Sequence, residues 1–148
     1  MTDTSRPHVI VSVLNWNAAE TTLACLKSVI EQSTMGMTAE LVVVDNGSQA
    51  DDWQKLQAGL PTGVRTIRLD RNIGFAAGHN VVIREALARY ADFIWLLNND
   101  TIVAPDTLTK LVSQMEVDPQ CGSISPLICA LHDCKVVDFW GAWHDWET

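Results

Sequence analysis

FIWLLNNDT, Phe93 to Thr101, runs five apolar residues straight into two asparagines and an aspartate. An apolar run of that length suits a strand covered on both faces, the habit of a parallel sheet. The polar cluster at its end exceeds what a turn alone requires, since a turn uses one or two such residues. Three more segments read as strands: His8–Leu14 (HVIVSVL), Leu41–Val44 (LVVV) and Val64–Leu69 (VRTIRL). The last alternates, which predicts an edge or half-exposed position.

Helical patterns fall between these runs. Leu23, Leu26 and Ile30 mark one stripe after the first strand. Val82, Ile83, Ala86, Leu87 and Tyr90 mark another before the fourth, and Leu108, Leu111, Val112 and Met115 a third after it, with Pro105 in its first turn. Alternation at this spacing predicts βαβ units with right-handed crossovers and a mostly parallel central sheet in a Rossmann-like three-layer α/β/α arrangement.

The totals agree. The 148 residues suit a single domain, and 47% apolar with 19% charged residues is globular material. A net charge of -8 argues against nucleic acid or an anionic membrane as the main partner. No apolar run approaches the roughly 20 residues of a membrane span, and MTDTSRPH lacks the apolar core of a secretory signal. Cytosol is the expected location. Cys25, Cys121, Cys129 and Cys134 show no paired spacing, so ordinary thiols are a better reading than zinc on Cys129, His132 and Cys134.

In a parallel sheet every strand delivers its C-terminal end to one edge, where ligands bind. Those ends read Asn15-Trp16-Asn17, Asp45-Asn46-Gly47-Ser48, Asp70-Arg71-Asn72 and Asn98-Asn99-Asp100. The expectation is a common crevice faced by Asn15, Asp45, Asn72 and Asp100. Asp45 suits hydrogen bonds from a ligand's N–H or hydroxyl groups, although a turn or helix cap needs the same residue. In RNIGFAAGHN, Arg71 to Asn80, Gly74 and Gly78 allow close backbone approach at a helix start that favours an anion. The spacing is not GxGxxG, which disfavours a dinucleotide site. Asp100 suits magnesium or manganese, which take one or two carboxylates plus a substrate's phosphate oxygens, with Asn98 or Asn99 orienting phosphate or sugar.

The order LNWN, VVVDNGS, RNIGFAAGHN, LLNNDT resembles the nucleotide-sugar-binding half of family 2 glycosyltransferases, in the rhamnosyltransferase-like branch with its GT-A fold. The resemblance covers Val9 to Leu127, and SISPLI at Ser123–Ile128 is similar to the family strand after the metal site. It implies that Leu14–Asn17, with Trp16, and Asp45 hold the base and ribose of a nucleotide-diphosphate sugar, with Asn46 and Ser48 also in the donor-binding set. Arg71, Asn72, Gly74, Phe75, Gly78 and Asn80 then lie near ribose and diphosphate. Asn98, Asn99 and Asp100 form a DXD-type motif, with Asp100 as the ligand to a divalent metal.

The family also implies inverting transfer to a hydroxyl on a glycan or lipid-linked acceptor, with peripheral association at the inner face of the membrane. Two departures stand out. Ala50 occupies a position where the family usually has Asp, with Asp51 one residue later. The acceptor part with its general base is expected to be absent from a chain of this length, leaving only Asp133, Asp138, Asp145 and Glu147 as late carboxylates, none in a recognisable context. The catalytic residues are therefore unassigned. The alternatives are a binding module that holds donor without turnover, an α/β domain whose site has decayed, and, further behind, a nucleotidyltransferase. Trp140, Trp143 and Trp146 beside Phe139 suggest self-association as a homodimer rather than a sugar platform.

Overall fold

Branched residues build the central strands, and the computed structural model describes residues 6–141. Strand β1 (His8–Asn15), helix α1 (Ala19–Ile30), β2 (Thr38–Asp45), α2 (Ala50–Gly59), β3 (Arg65–Arg68), α3 (Phe75–Ala88), β4 (Phe93–Leu97) and α4 (Thr107–Val117) alternate along the chain. A hairpin of β5 (Ile128–Ala130) and β6 (Asp133–Phe139) follows. The first four strands form one parallel sheet in the order β3-β2-β1-β4. Its register pairs Asn15 with Asp45 and Val13 with Leu97, so strand ends lie side by side.

Period-two alternation divides the buried residues between the two faces. Val9, Val11, Val13 and Val43 face Leu26, Val29, Leu56, Leu108 and Val112 from α1, α2 and α4. Ile10, Val42 and Val44 face Val82 and Ala86 of α3. This is the predicted three-layer α/β/α arrangement, with β3 at an edge as its alternation suggested.

Several expectations need correction. Strand β4, read as covered on both faces, borders the sheet among the described residues, and its Leu96 is 45% exposed. Ile30, Leu87 and Tyr90 are exposed, because the buried faces of α1 and α3 run through Cys25 and Val29 and through Gly78, Val82 and Ala86. Pro105 precedes α4 by two residues and gives its carbonyl to the Ser33 N–H. Helix α2 is absent from the sequence reading, its only fully buried side chain being Leu56. The SISPLI segment becomes strand only at its last residue, Ile128.

The β5–β6 hairpin leaves every residue from Leu131 to Trp140 exposed, Asp133 and Asp138 among them. Trp143, His144, Asp145, Trp146 and Glu147 lie outside the described residues. No helix among the described residues is long and apolar enough to cross a membrane.

Candidate functional site

Parallel pairing brings the ends of β1, β2 and β4 to one edge, and a cleft of about 340 Å³ opens there. Leu14 lines it from β1 and Trp16 from just beyond, Asn46 from just after β2, Asn72 and Gly74 from the loop entering α3, Phe75 from the start of that helix, and Asn98, Asn99 and Asp100 from beyond β4. The size falls within the range of small-ligand sites. Trp16 and Phe75 are 54% and 58% exposed, so two aromatic faces are open to a ring.

Behind this lining sits a second, buried tier. Asn15 and Asp45 are 0% exposed and Ser48 is 6% exposed, so these three support the cleft without lining it. The Asn15 amide nitrogen lies 3.0 Å from Asp45 Oδ1, 3.1 Å from Ser48 Oγ and 3.1 Å from Asp52 Oδ2. Asp45 Oδ2 accepts from the Ser48 N–H at 3.4 Å and faces Arg68 Nε at 3.6 Å. Arg68 in turn sits over the Trp53 ring, 4.9 Å from its centroid. A buried carboxylate persists only with such partners. Asn17 is exposed and bonds to this cluster from outside: its N–H donates to Ser48 Oγ, and its Oδ1 accepts from the Gln49 N–H.

Asp52 is the residue the sequence reading missed. The family's Asp position holds Ala50 and Asp51 is exposed, yet Asp52 reaches across from α2 and accepts the Ala19 N–H at 2.9 Å. It thereby caps α1, whose own N-cap residue, Ala18, has no side chain able to do so. The Asp51-Asp52 pair in the first turn of α2 was the available signal.

Asn46 clamps the opposite wall. Its Nδ2 donates to Asn72 Oδ1 at 3.0 Å and to the Gly74 carbonyl at 3.3 Å, while its Oδ1 accepts the Ile73 N–H at 3.0 Å. Asn72 Oδ1 also accepts the Gly74 N–H at 2.8 Å. Gly78 is buried, and a Cβ there would stand 2.6 Å from Leu14 Cδ1, so its smallness serves the packing of α3 on β1. Phe75 leans edge-on against His79, which is buried and shares a 2.9 Å hydrogen bond between its Nδ1 and Ser12 Oγ. Burial pushes the His79 pKa below the ordinary imidazole value. Arg71 and Asn80 are exposed and stand outside the lining.

Asp100 is the lone carboxylate in the lining, and no cluster of three His, Cys, Asp or Glu side chains exists among the described residues. That donor set does not fit a closed zinc cage. It does fit magnesium or manganese, which keep few protein ligands and take the rest from phosphate oxygens and water.

Comparison with known proteins places these features in a wider context. The model of the family described as Glycosyl transferase family 2 matches residues 9–127. The succinoglycan biosynthesis protein ExoO of Rhizobium meliloti is 36% identical over 111 residues, covering 74% of this chain and 30% of that protein. An N-acetylglucosaminyltransferase of Bradyrhizobium elkanii is 34% identical over 122 residues, covering 79% of this chain and 64% of its own. The chain thus spans less than two-thirds of both relatives. Among solved structures, the mannosyltransferase PcManGT of Pyrobaculum calidifontis, in complex with GDP-Man and Mn2+, superposes with a TM-score of 0.71 at 24% identity. That match covers 89% of this chain and 38% of the other, and the likeness shows the GT-A fold.

Proposed function

The chain belongs to glycosyl transferase family 2, and we propose that its cleft binds the nucleoside diphosphate of an activated sugar and presents the sugar to an acceptor hydroxyl in glycan synthesis. One observation carries this reading. Trp16, Asn46, the Asn72–Phe75 loop and the Asn98–Asp100 turn meet in a single cleft although they are far apart along the chain. Trp16 and Phe75 offer apolar faces to a base or sugar, and the asparagines offer hydrogen bonds to hydroxyls. The first turn of α3 presents backbone N–H groups to phosphate.

Charge supports a metal. The lining contains Asp100 and neither lysine nor arginine, so a diphosphate would meet a net negative wall. A divalent cation held by Asp100 and the diphosphate oxygens would remove that repulsion and act as Lewis acid on the leaving group. Asn98 and Asn99 are neutral and orient oxygens without adding charge. The relative solved with GDP-Man and Mn2+ supports the same reading.

In the reaction so proposed, the acceptor hydroxyl attacks the anomeric carbon in line and inverts it as the bond to the diphosphate oxygen breaks and the nucleoside diphosphate leaves, while a carboxylate removes the hydroxyl proton. Among the described residues Asp100 is the lone carboxylate lining the cleft, and in this proposal it is assigned to the metal. That observation favours a second reading, in which residues 9–127 hold donor without turning it over alone. The motif resemblance favours a rhamnosyl donor, whereas the relatives named above include N-acetylglucosaminyl and mannosyl transferases. A glycan or lipid-linked acceptor, a cytosolic site beside the inner face of the membrane, and a homodimer through the Trp-rich tail complete the proposal. Membrane fractionation and light scattering test the last two.

Calorimetry with UDP, GDP and dTDP, each with and without Mn2+, tests the donor site. At least one nucleotide should bind more tightly with Mn2+, and Asp100→Asn should abolish that gain. Silence for all three nucleotides overturns the reading. Transfer or hydrolysis of the corresponding labelled sugar then separates the enzyme from the binding module.

A further inference from the structure

Helix α1 carries a buried polar seam that no motif marks. Thr22, Cys25 and Ser28 recur every third residue, and Gln32 follows just beyond the helix end. All four are buried, Thr22 and Cys25 completely. Each meets the segment that follows β4. The Asn99 amide donates to Thr22 Oγ1 at 2.9 Å, and the Cys25 thiol approaches the Asn98 carbonyl at 3.6 Å. Ser28 Oγ accepts the Val103 N–H at 3.1 Å. Gln32 donates to the Ala104 carbonyl at 2.7 Å and accepts the Leu108 N–H at 3.0 Å.

Polar groups buried on a helix face are unfavourable unless bonded, and here the bonds exist only if residues 98–108 dock in this one register. An apolar face would hold the segment as firmly but would let it slide. Thr22 does more than dock. Its hydroxyl passes the hydrogen bond on, donating to Asn15 Oδ1 at 2.7 Å. That bond leaves the Asn15 amide nitrogen facing Asp45, Ser48 and Asp52. A continuous hydrogen-bonded chain, buried from Thr22 inward, thus joins the Asn98–Asp100 turn to the Asn15–Asp45 pair at the end of the neighbouring strands.

We propose that the α1 seam, with Thr22 at its head, is a positioning device that holds the Asp100 turn for its metal and ties it to the Asn15–Asp45 end of the site. This rests on the donor-site reading above. Thr22 lies outside the cleft lining, and acts through Asn99 on one side and Asn15 on the other. The chemistry selects its side chain, because a single hydroxyl must accept from one amide and donate to another. Serine can do both. Valine, of the same shape, can do neither.

The test compares wild type with Thr22→Val, Thr22→Ser and Asn99→Ala, using calorimetry with UDP, GDP and dTDP in Mn2+ and in EDTA. For the nucleotide that wild type binds, Thr22→Val should weaken the Mn2+-supported affinity by roughly tenfold or more, the scale of losses when a metal ligand's supporting partner is removed. Its affinity in EDTA should change by less than about twofold, and Thr22→Ser should restore the Mn2+ gain. Asn99→Ala breaks the same link from the cleft side, and because Asn99 also lines the cleft its own loss is read only through its coupling to Thr22. Combining it with Thr22→Val should add little to either single loss.

Equal weakening with and without Mn2+ would assign Thr22 a merely structural role, and unchanged binding would remove the relay; either result overturns the inference and leaves the donor site standing. If Thr22→Val does not fold, Thr22→Ala, which also lacks the hydroxyl and leaves no bulk to place, decides by the same criterion. A wild-type chain that binds none of the three nucleotides sinks the donor-site reading and this inference with it.

Discussion

Replacing Gly47 with alanine tests whether the turn after β2 holds the loop that enters α3. Gly47 adopts φ 72°. A Cβ there would stand 2.4 Å from both the Cα and the carbonyl carbon of Arg71, and 2.7 Å from the Asn72 nitrogen. These are backbone atoms, so no side chain can swing aside. To reach ordinary contact at 3.4 Å the 71–72 segment must retreat by about 1 Å. That retreat strains the bonds from Asn46 to Asn72 Oδ1 and from the Ile73 N–H to Asn46. The left-handed backbone adds about 1–2 kcal/mol for alanine. Forced displacement of packed groups adds a further 1–3 or so, for a loss of about 2–5 kcal/mol in all. Gly63 is the control. It has φ 87° and nothing within 4 Å of where an alanine methyl would sit, so Gly63→Ala carries the backbone share alone, about 1–2 kcal/mol. Urea denaturation measures both. Gly47→Ala should be the less stable by at least about 1 kcal/mol, and should bind nucleoside diphosphate more weakly in calorimetry. Equal losses at the two glycines would refute the close approach as a determinant. Wild-type nucleotide affinity in Gly47→Ala would refute the Asn72 loop as a wall of the donor site.

Asp52→Ala should lower stability by about 1–2 kcal/mol, the usual worth of a helix N-cap, since it frees both the Ala19 N–H and one contact of the Asn15 amide; a melting temperature within error of wild type would show that α1 needs no cap from α2. Glu40, at the opposite end of the sheet, is hydrogen-bonded first by Arg89 and then by Arg65, which hold its carboxyl down to about 2 from 4.5. A depressed carboxylate contributes stability above its unfolded pKa and loses it as pH falls through the folded one. Glu40→Gln should therefore be less stable by roughly 1 kcal/mol above pH 5, with the gap closing as pH falls from there through about 2, and a gap that does not narrow in acid would count against the ion pairs. Leu56→Ala should cost about 2–5 kcal/mol because the side chain is wholly buried beneath α2, yet leave nucleotide affinity unchanged; a loss under 1 kcal/mol in urea titration would mean that α2 collapses onto the gap.

What could be read in advance follows from which physical signals are local. The parallel sheet was legible because β1, β2 and β4 are dense in branched apolar residues, and the shared edge follows from parallelism alone. Helix α2 was not legible. One buried leucine among charged neighbours leaves little periodicity, and Trp53 is held by a contact with Arg68 from β3. Ile30 and Tyr90 misled for the converse reason: an apolar stripe does not say which of its members the sheet is wide enough to cover. The FIWLL run has the composition of an interior strand but borders the sheet among the described residues, because composition reports what a strand tolerates and not which neighbour is paired to it.

At the site the distinction is between residues that face the cleft and residues that hold them there. Asn72 and Asp100 could be placed at the cleft from strand order. Asn15 and Asp45 share that edge in the sequence, but their side chains turn inward, since each finds in the other a partner better fixed than water. Periodicity cannot reveal such a turn, because inward and outward polar residues look alike when only apolar positions are counted. The α1 seam is hidden for the same reason. Thr22, Cys25, Ser28 and Gln32 fall at helical spacing, yet as weakly polar residues they read as the solvated face of an amphipathic helix. Their burial is decided by the segment after β4, some 70 residues away along the chain, where the hydrogen-bond partners reside. A polar stripe on a helix that directly follows a sheet-edge motif therefore has two opposite explanations, water or a second segment of the same chain. Counting what could satisfy each group distinguishes them: a hydroxyl flanked by two asparagine amides, like Thr22 between Asn99 and Asn15, has no need of solvent.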